Sequence, residues 1–94
     1  GYQTRVTQGS GDQGADVIIE KLGQISIVQA KRRNMAVTNK AIQEVVAALR
    51  HYNATCGFVV TNNSFTKSAL ELAKSNNVIL IDRHELKKLI ENYL

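Results

Sequence analysis

Three residues in this 94-residue chain have the types and spacing to do chemistry: Asp16, Gln29 and Lys31. Each interrupts a run that otherwise reads as a strand, ADVIIEK over 15–21 and QISIVQAKR over 24–32. An unpaired charge or amide in such a place costs on the order of several kcal/mol. A carboxylate and an amide oxygen are hard donors suited to Mg²⁺, which takes few protein ligands and keeps several waters. An ammonium group beside them can neutralise charge growing on a phosphoryl oxygen and help to orient or deprotonate an attacking water. Together the three can hold a divalent cation against a phosphodiester.

A hairpin has to bring them together. Leu22-Gly23 separates the two runs and reads as the turn. A two-residue loop pairs Lys21 with Gln24 and, carried along the antiparallel ladder, Asp16 with Gln29. A four-residue loop keeps that register, whereas a three-residue loop sends the pair to opposite faces. Leu is a poor residue for a type I′ turn, so the loop length stays open at this point. Opposed side chains have Cβ atoms about 4.5–5.5 Å apart and diagonal ones about 7–8 Å. Lys31, two residues beyond Gln29, projects from the same face. Ile25 and Ile27 share that face, so it reads as buried at one end and polar only at the other. On spacing alone, an Asp, a Gln and a Lys on a solvated strand face remain an open alternative.

The other elements frame this hairpin. Tyr2 to Gln8 alternates like a half-buried strand. The hexamer GSGDQG over 9–14 matches GxGxxG, but a dinucleotide site needs a helix to follow and here a strand follows, so it reads as a tight turn with Asp12 as a turn-former. Thr38 to Tyr52 reads as a helix with Ile42, Val45, Val46, Leu49 and Tyr52 as its apolar stripe, Thr38 or Asn39 as its cap, Gln43 and Arg50 on one flank, and Glu44 and His51 pointing away from the stripe. CGFVVT (56–61) and VILI (78–81) read as parallel strands buried on both faces. Between them Ser64 to Lys74 reads as a helix capped by Ser64 and ended by Asn76-Asn77 in the left-handed conformation. Asp82 to Glu85 has capping-box spacing and opens a last helix with Leu86, Leu89, Ile90 and Tyr93 as its stripe. The fold class is therefore α/β, a mixed sheet flanked by helices in the order βββαβαβα, as one domain over 1–94.

Hydrophobic content of 44% and charged content of 21% are ordinary for a globular domain. No apolar run approaches the roughly 20 residues of a membrane helix and the N-terminus is no signal peptide, so a cytoplasmic protein with no membrane partner is expected. A single cysteine, Cys56, excludes an internal disulfide and a cysteine-based zinc site. The net charge of +4 and a pI of about 9.5 favour a polyanionic partner. Arg32, Arg33 and Lys40 follow the polar set and can grip phosphates, although an ordinary solvated face explains them equally well. Asn62, Asn63 and Ser64 follow a strand at its carboxyl end, where ligands often bind in α/β sheets. His51 and His84 have no metal-spaced neighbours and read as surface residues.

The string GSGDQGADVIIE, followed by VQAKRR, VVTNNSFTKSALELA and VILIDRHEL, resembles the Mrr-type restriction endonuclease domain of the PD-(D/E)xK nuclease superfamily, from Gly1 to about Leu89. Its motifs are specific in combination: Asp16, the QxK form at Gln29-Ala30-Lys31, and the Thr61-Asn62 loop. The resemblance implies a restriction-endonuclease-like fold and a DNA endonuclease dependent on Mg²⁺ or Mn²⁺, typically prokaryotic, often acting on modified DNA and often a homodimer. It implies that Asp16 is the metal-binding aspartate, that Gln29 takes the place of the more usual acidic ligand, that Lys31 is the motif lysine, and that Gln43 matches a supporting helix residue. Many relatives add an acidic residue from a helix upstream of the GY strand, and this sequence does not contain that helix. Divalent affinity is expected to be weak unless a carboxylate arrives from elsewhere, because the visible donors carry one formal negative charge; Glu20 shares Asp16's face but lies four residues toward the turn. Two rivals keep the fold: a nucleic-acid-binding or assembly module that does not cut, and a Holliday-junction-resolvase-like nuclease that differs in substrate.

Overall fold

The computed structural model describes residues 2–6 and 16–93. The elements run β1 (Gln3–Val6), β2 (Val17–Lys21), β3 (Gln24–Lys31), α1 (Asn39–His51), β4 (Cys56–Thr61), α2 (Lys67–Ser75), β5 (Val78–Ile81) and α3 (Arg83–Tyr93), the expected βββαβαβα order. The glycine-rich segment 9–14, with Asp12, lies outside the described residues, as do 7, 8 and Ala15.

One five-stranded sheet has its strands in sequence order, β1-β2-β3-β4-β5. The β1–β2 and β2–β3 pairs are antiparallel, and β3–β4 and β4–β5 are parallel. The first hairpin closes with the two-residue loop: Lys21 pairs with Gln24 and Ile18 with Ile27. Leu22 and Gly23 both adopt positive φ, 53° and 79°, as a type I′ turn requires. The register rules here over the turn preference, since a slip of one residue would send Ile18 and Ile27, which are 3% and 0% exposed, to opposite faces of the sheet and take one of them out of the core.

α1 packs on the sheet face that carries Ile27 and Val59, and Ile27, Ile42, Val45 and Val59 are the largest fully buried apolar residues. Gly57 permits the close approach: a Cβ there would lie 2.5 Å from Val45 Cγ1 and 3.3 Å from Leu49 Cδ2. α2 adds Ala69 and Ala73 to the same core. The other face is less covered, with Phe58 and Val60 half-buried and Ile79 exposed. The expectation of strands buried on both faces is thereby corrected, because α1 and α2 contribute to a single core on one side.

One helix boundary and one helix face also differ from expectation. Phe65 forms an isolated parallel bridge with Val37, tied by Val37 N–H to Ser64 O at 2.8 Å and Thr66 N–H to Val37 O at 3.0 Å. Ser64 and Phe65 are therefore held extended, and α2 starts two residues further on with Thr66 as its cap, whose Oγ1 accepts from Ala69 N–H at 3.1 Å. On α3 the expected stripe stays largely open, with Leu89 and Ile90 42% and 49% exposed. The turns at Asn77 (φ 58°) and Asp82, whose Oδ1 accepts from Glu85 N–H at 2.9 Å, match the sequence pattern.

Candidate active site

β3 carries the site because its alternation changes character along its length. Ile25 and Ile27 point into the core, and the next two residues on that face are Gln29 and Lys31. In the parallel pairing Gln29 lies beside Val59 and Lys31 beside Thr61, at the carboxyl end of both strands. Gln29 is only 7% exposed, and its Oε1 is buried with no hydrogen-bond partner among the described residues. Native interiors leave few acceptors in that state, and each one asks for an explanation.

Asp16 reaches the same patch by a route the strand pattern did not foresee. It stands in a bend just before β2. Its N–H donates to Val28 O at 2.9 Å, although the ladder pairs Val28 with Val17. Two consecutive residues thus address one partner, as in a β-bulge, a device that re-aims a side chain at the edge of a ladder. The Asp16 carboxylate turns onto β3, where Oδ2 accepts from Ala30 N–H at 2.8 Å. That N–H lies between Gln29 and Lys31, so the carboxylate is brought to the polar end of β3 without the direct strand pairing expected for it.

Lys31 is anchored from the helix layer. Its Nζ donates to Glu44 Oε1 at 3.1 Å, with the two side chains 16% and 39% exposed. Glu44 is the residue that sequence reasoning missed, since it lies off the apolar stripe of α1. A signal was present: Glu44 is the only acidic residue in the helix, and it shares a row with Ala41 and Ala48 at i−3 and i+4. Both alanines are buried, so that row faces the sheet and Glu44 sits over the end of β3. Gln43, one residue earlier, is not brought to the patch; it is exposed and lines a groove with Val46, Arg50 and Leu72 on the α1–α2 side.

Lys31, Arg33, Lys40 and Glu44 line one recess of about 310 Å³. Arg32 is exposed immediately beyond β3 and is not among its lining residues. The loop is fixed by Asn62 and Asn63: Arg33 N–H donates to Asn62 Oδ1 at 2.9 Å, and Asn63 Nδ2 donates to Arg33 O at 3.3 Å.

A divalent cation fits the donors present. The unpaired Gln29 Oε1 and the Asp16 carboxylate are hard oxygens on one patch. Among the described residues no three His, Cys, Asp or Glu side chains group to hold a metal; two oxygen donors suit an ion that keeps most of its water.

A sheet of this topology with a polar set at the end of its central strand is the fold of restriction endonucleases. It resembles the MspJI restriction endonuclease in complex with a 27-mer oligonucleotide, at a TM-score of 0.69 and 25% identity over 90% of this chain and 22% of that one. The modification-dependent restriction endonuclease AspBHI gives 0.68 and 18% over 97% and 22%, and AF1548, a protein of unknown function, gives 0.68 and 20% over 87% and 50%. A restriction endonuclease family model matches residues 1–90, and the chain belongs to that family, in its Mrr type. It is similar to the Type IV methyl-directed restriction enzyme EcoKMrr of Escherichia coli (strain K12), 37% identical over 89 aligned positions that span 89% of this chain and 29% of the relative. The chain thus spans under a third of the curated relative it matches.

Proposed function

We propose that the domain is a Mg²⁺-dependent endodeoxyribonuclease, with Mn²⁺ able to replace Mg²⁺, that hydrolyses DNA phosphodiester bonds in the prokaryotic cytoplasm. The observation that carries this reading is the buried, unpaired Oε1 of Gln29 on the strand that also receives the Asp16 carboxylate and ends in Lys31. Asp16 and Gln29 would hold the ion. When bound, the ion would polarise the scissile phosphate and lower the pKa of a coordinated water. The Lys31 ammonium neutralises charge on a non-bridging phosphate oxygen and orients the attacking water. Glu44 fixes Lys31 Nζ by the 3.1 Å ion pair and so acts as a positioning residue. Arg32, Arg33 and Lys40 take flanking phosphates and add salt-dependent, sequence-independent affinity. Family membership and the oligonucleotide bound to the similar MspJI support DNA as the substrate. As a homodimer, two copies would present one site to each strand.

The test is conversion of supercoiled plasmid in Mg²⁺ or Mn²⁺ by the wild type, Asp16→Ala and Lys31→Ala; equal activity in all three would sink the assignment. One observation favours a second reading, a module that binds DNA without cutting it: the donor set assembled from the described residues carries a single carboxylate. Binding without nicking, even in Mn²⁺, would select that reading.

A further inference from the structure

A second recess with cationic lining does not include Asp16 or Lys31. It measures about 430 Å³ and is formed where the β4–α2 and β5–α3 loops meet, with Asn62, Asn63, Arg83, His84 and Lys87 among its lining residues. None of the side chains of Arg83, His84 and Lys87 has a hydrogen bond or ion pair among the described residues. The one acid on the lining, Asp82, is committed to α3 through Glu85 N–H at 2.9 Å. Two uncommitted cations and an imidazole therefore face a concavity whose sole carboxylate is already engaged.

Hydrogen bonds tie the loops around this recess to the loop that follows Lys31. Arg33 N–H and O bond to the side chains of Asn62 and Asn63, and Asn63 O accepts from Arg83 N–H at 3.0 Å. These bonds lace together the three loops that follow the parallel strands β3, β4 and β5. Asn62 spends its carbonyl oxygen on Arg33, which leaves its NH₂ as a further donor at the recess. From the end of β3 to the end of β5 is two strand spacings, about 10 Å. A DNA backbone lying along the strand ends, with its phosphates in series, reaches both places at once.

We propose that this recess is a second phosphate site, in which Arg83 and Lys87, with Asn62 and His84, hold a backbone phosphodiester of the same DNA duplex close to the one addressed by Lys31. The proposal rests on the nuclease reading above and gives His84 and the Asn62-Asn63 loop a role in holding substrate.

Binding of a labelled duplex with 5′-hydroxyl ends, measured by fluorescence anisotropy without divalent ions over a range of salt concentrations, tests it. The slope of log K against log salt in the double variant R83A/K87A is expected to fall by about 0.9, the value for one phosphate. The wild-type advantage over R83A/K87A then shrinks about 3.5-fold when salt is raised fourfold. Both residues are exposed, so the core is untouched. K74A/K88A removes the same charge from exposed positions that do not line the recess and is expected to keep the wild-type slope. A wild-type slope in R83A/K87A, or an equal fall in K74A/K88A, would overturn the phosphate site and leave the nuclease reading standing. Absence of salt-dependent duplex binding by the wild type would overturn both.

Discussion

Replacing Gln29 by Met is expected to stabilise the metal-free domain while destroying its activity. Gln29 is 7% exposed and its Oε1 is buried without a partner among the described residues, so the fold carries the desolvation cost of that oxygen, about 1–3 kcal/mol. Met is unbranched, close in length and able to adapt to the same space. Its thioether removes the cost of the carbonyl oxygen, but the amide NH₂ goes as well, and any hydrogen bond it makes is worth about 1 kcal/mol. The balance is a gain of about 1 kcal/mol, which for a domain of this size raises Tm by about 4–8 °C. The assay is thermal or urea denaturation in EDTA, set beside plasmid cleavage in Mn²⁺. A loss of more than about 1 kcal/mol in EDTA would show that the amide serves the fold rather than a ligand, and cleavage at the wild-type rate would refute Gln29 as a donor.

Substitutions at two further positions probe the supports of the site. Glu44→Ala removes the only partner that the described residues supply to the Lys31 ammonium; cleavage is expected to fall about tenfold, less than for Lys31→Ala, with stability lowered by no more than about 1 kcal/mol for a half-exposed pair. Glu44→Gln, which keeps an acceptor oxygen, is expected to restore most of the rate, and a Glu44→Ala enzyme of wild-type rate would remove the positioning role. Gly57→Ala places a Cβ 2.5 Å from Val45 Cγ1, a fully buried β-branched side chain with little room to give. A loss of about 1–3 kcal/mol is expected in thermal denaturation, and an unchanged Tm would mean that α1 lies further from β4 than the structure has it.

The sheet was legible from alternation, which put Gln29 and Lys31 on the face of Ile25 and Ile27. The loop at Leu22-Gly23 was not, because Leu disfavours a type I′ turn, and the pairing of buried Ile18 with buried Ile27 decides for two residues. That the Asp16 carboxylate meets the polar end of β3 was legible, but not the route, because a bulge-like bond from its N–H to Val28 O is a choice of backbone path that alternation does not encode. Ser64 reads as well as Thr66 as a helix cap on local preference alone. The bridge between Val37 and Phe65, residues far apart in sequence, decides between them. Glu44 was hidden for a similar reason: the stripe of α1 shows which face is buried, but not which flank lies over the end of β3. That depends on how α1 crosses the sheet, which Gly57 helps to set from another strand.

The most direct measurement is the pattern of Mn²⁺ broadening in the amide spectrum of the wild-type domain. Paramagnetic loss centred on Asp16, Gln29, Ala30 and Lys31, abolished by Asp16→Ala, is the expected result, at the high metal concentrations that a donor set with one formal negative charge demands. Broadening centred elsewhere, or unchanged by Asp16→Ala, would contradict the assignment of this patch as the metal site.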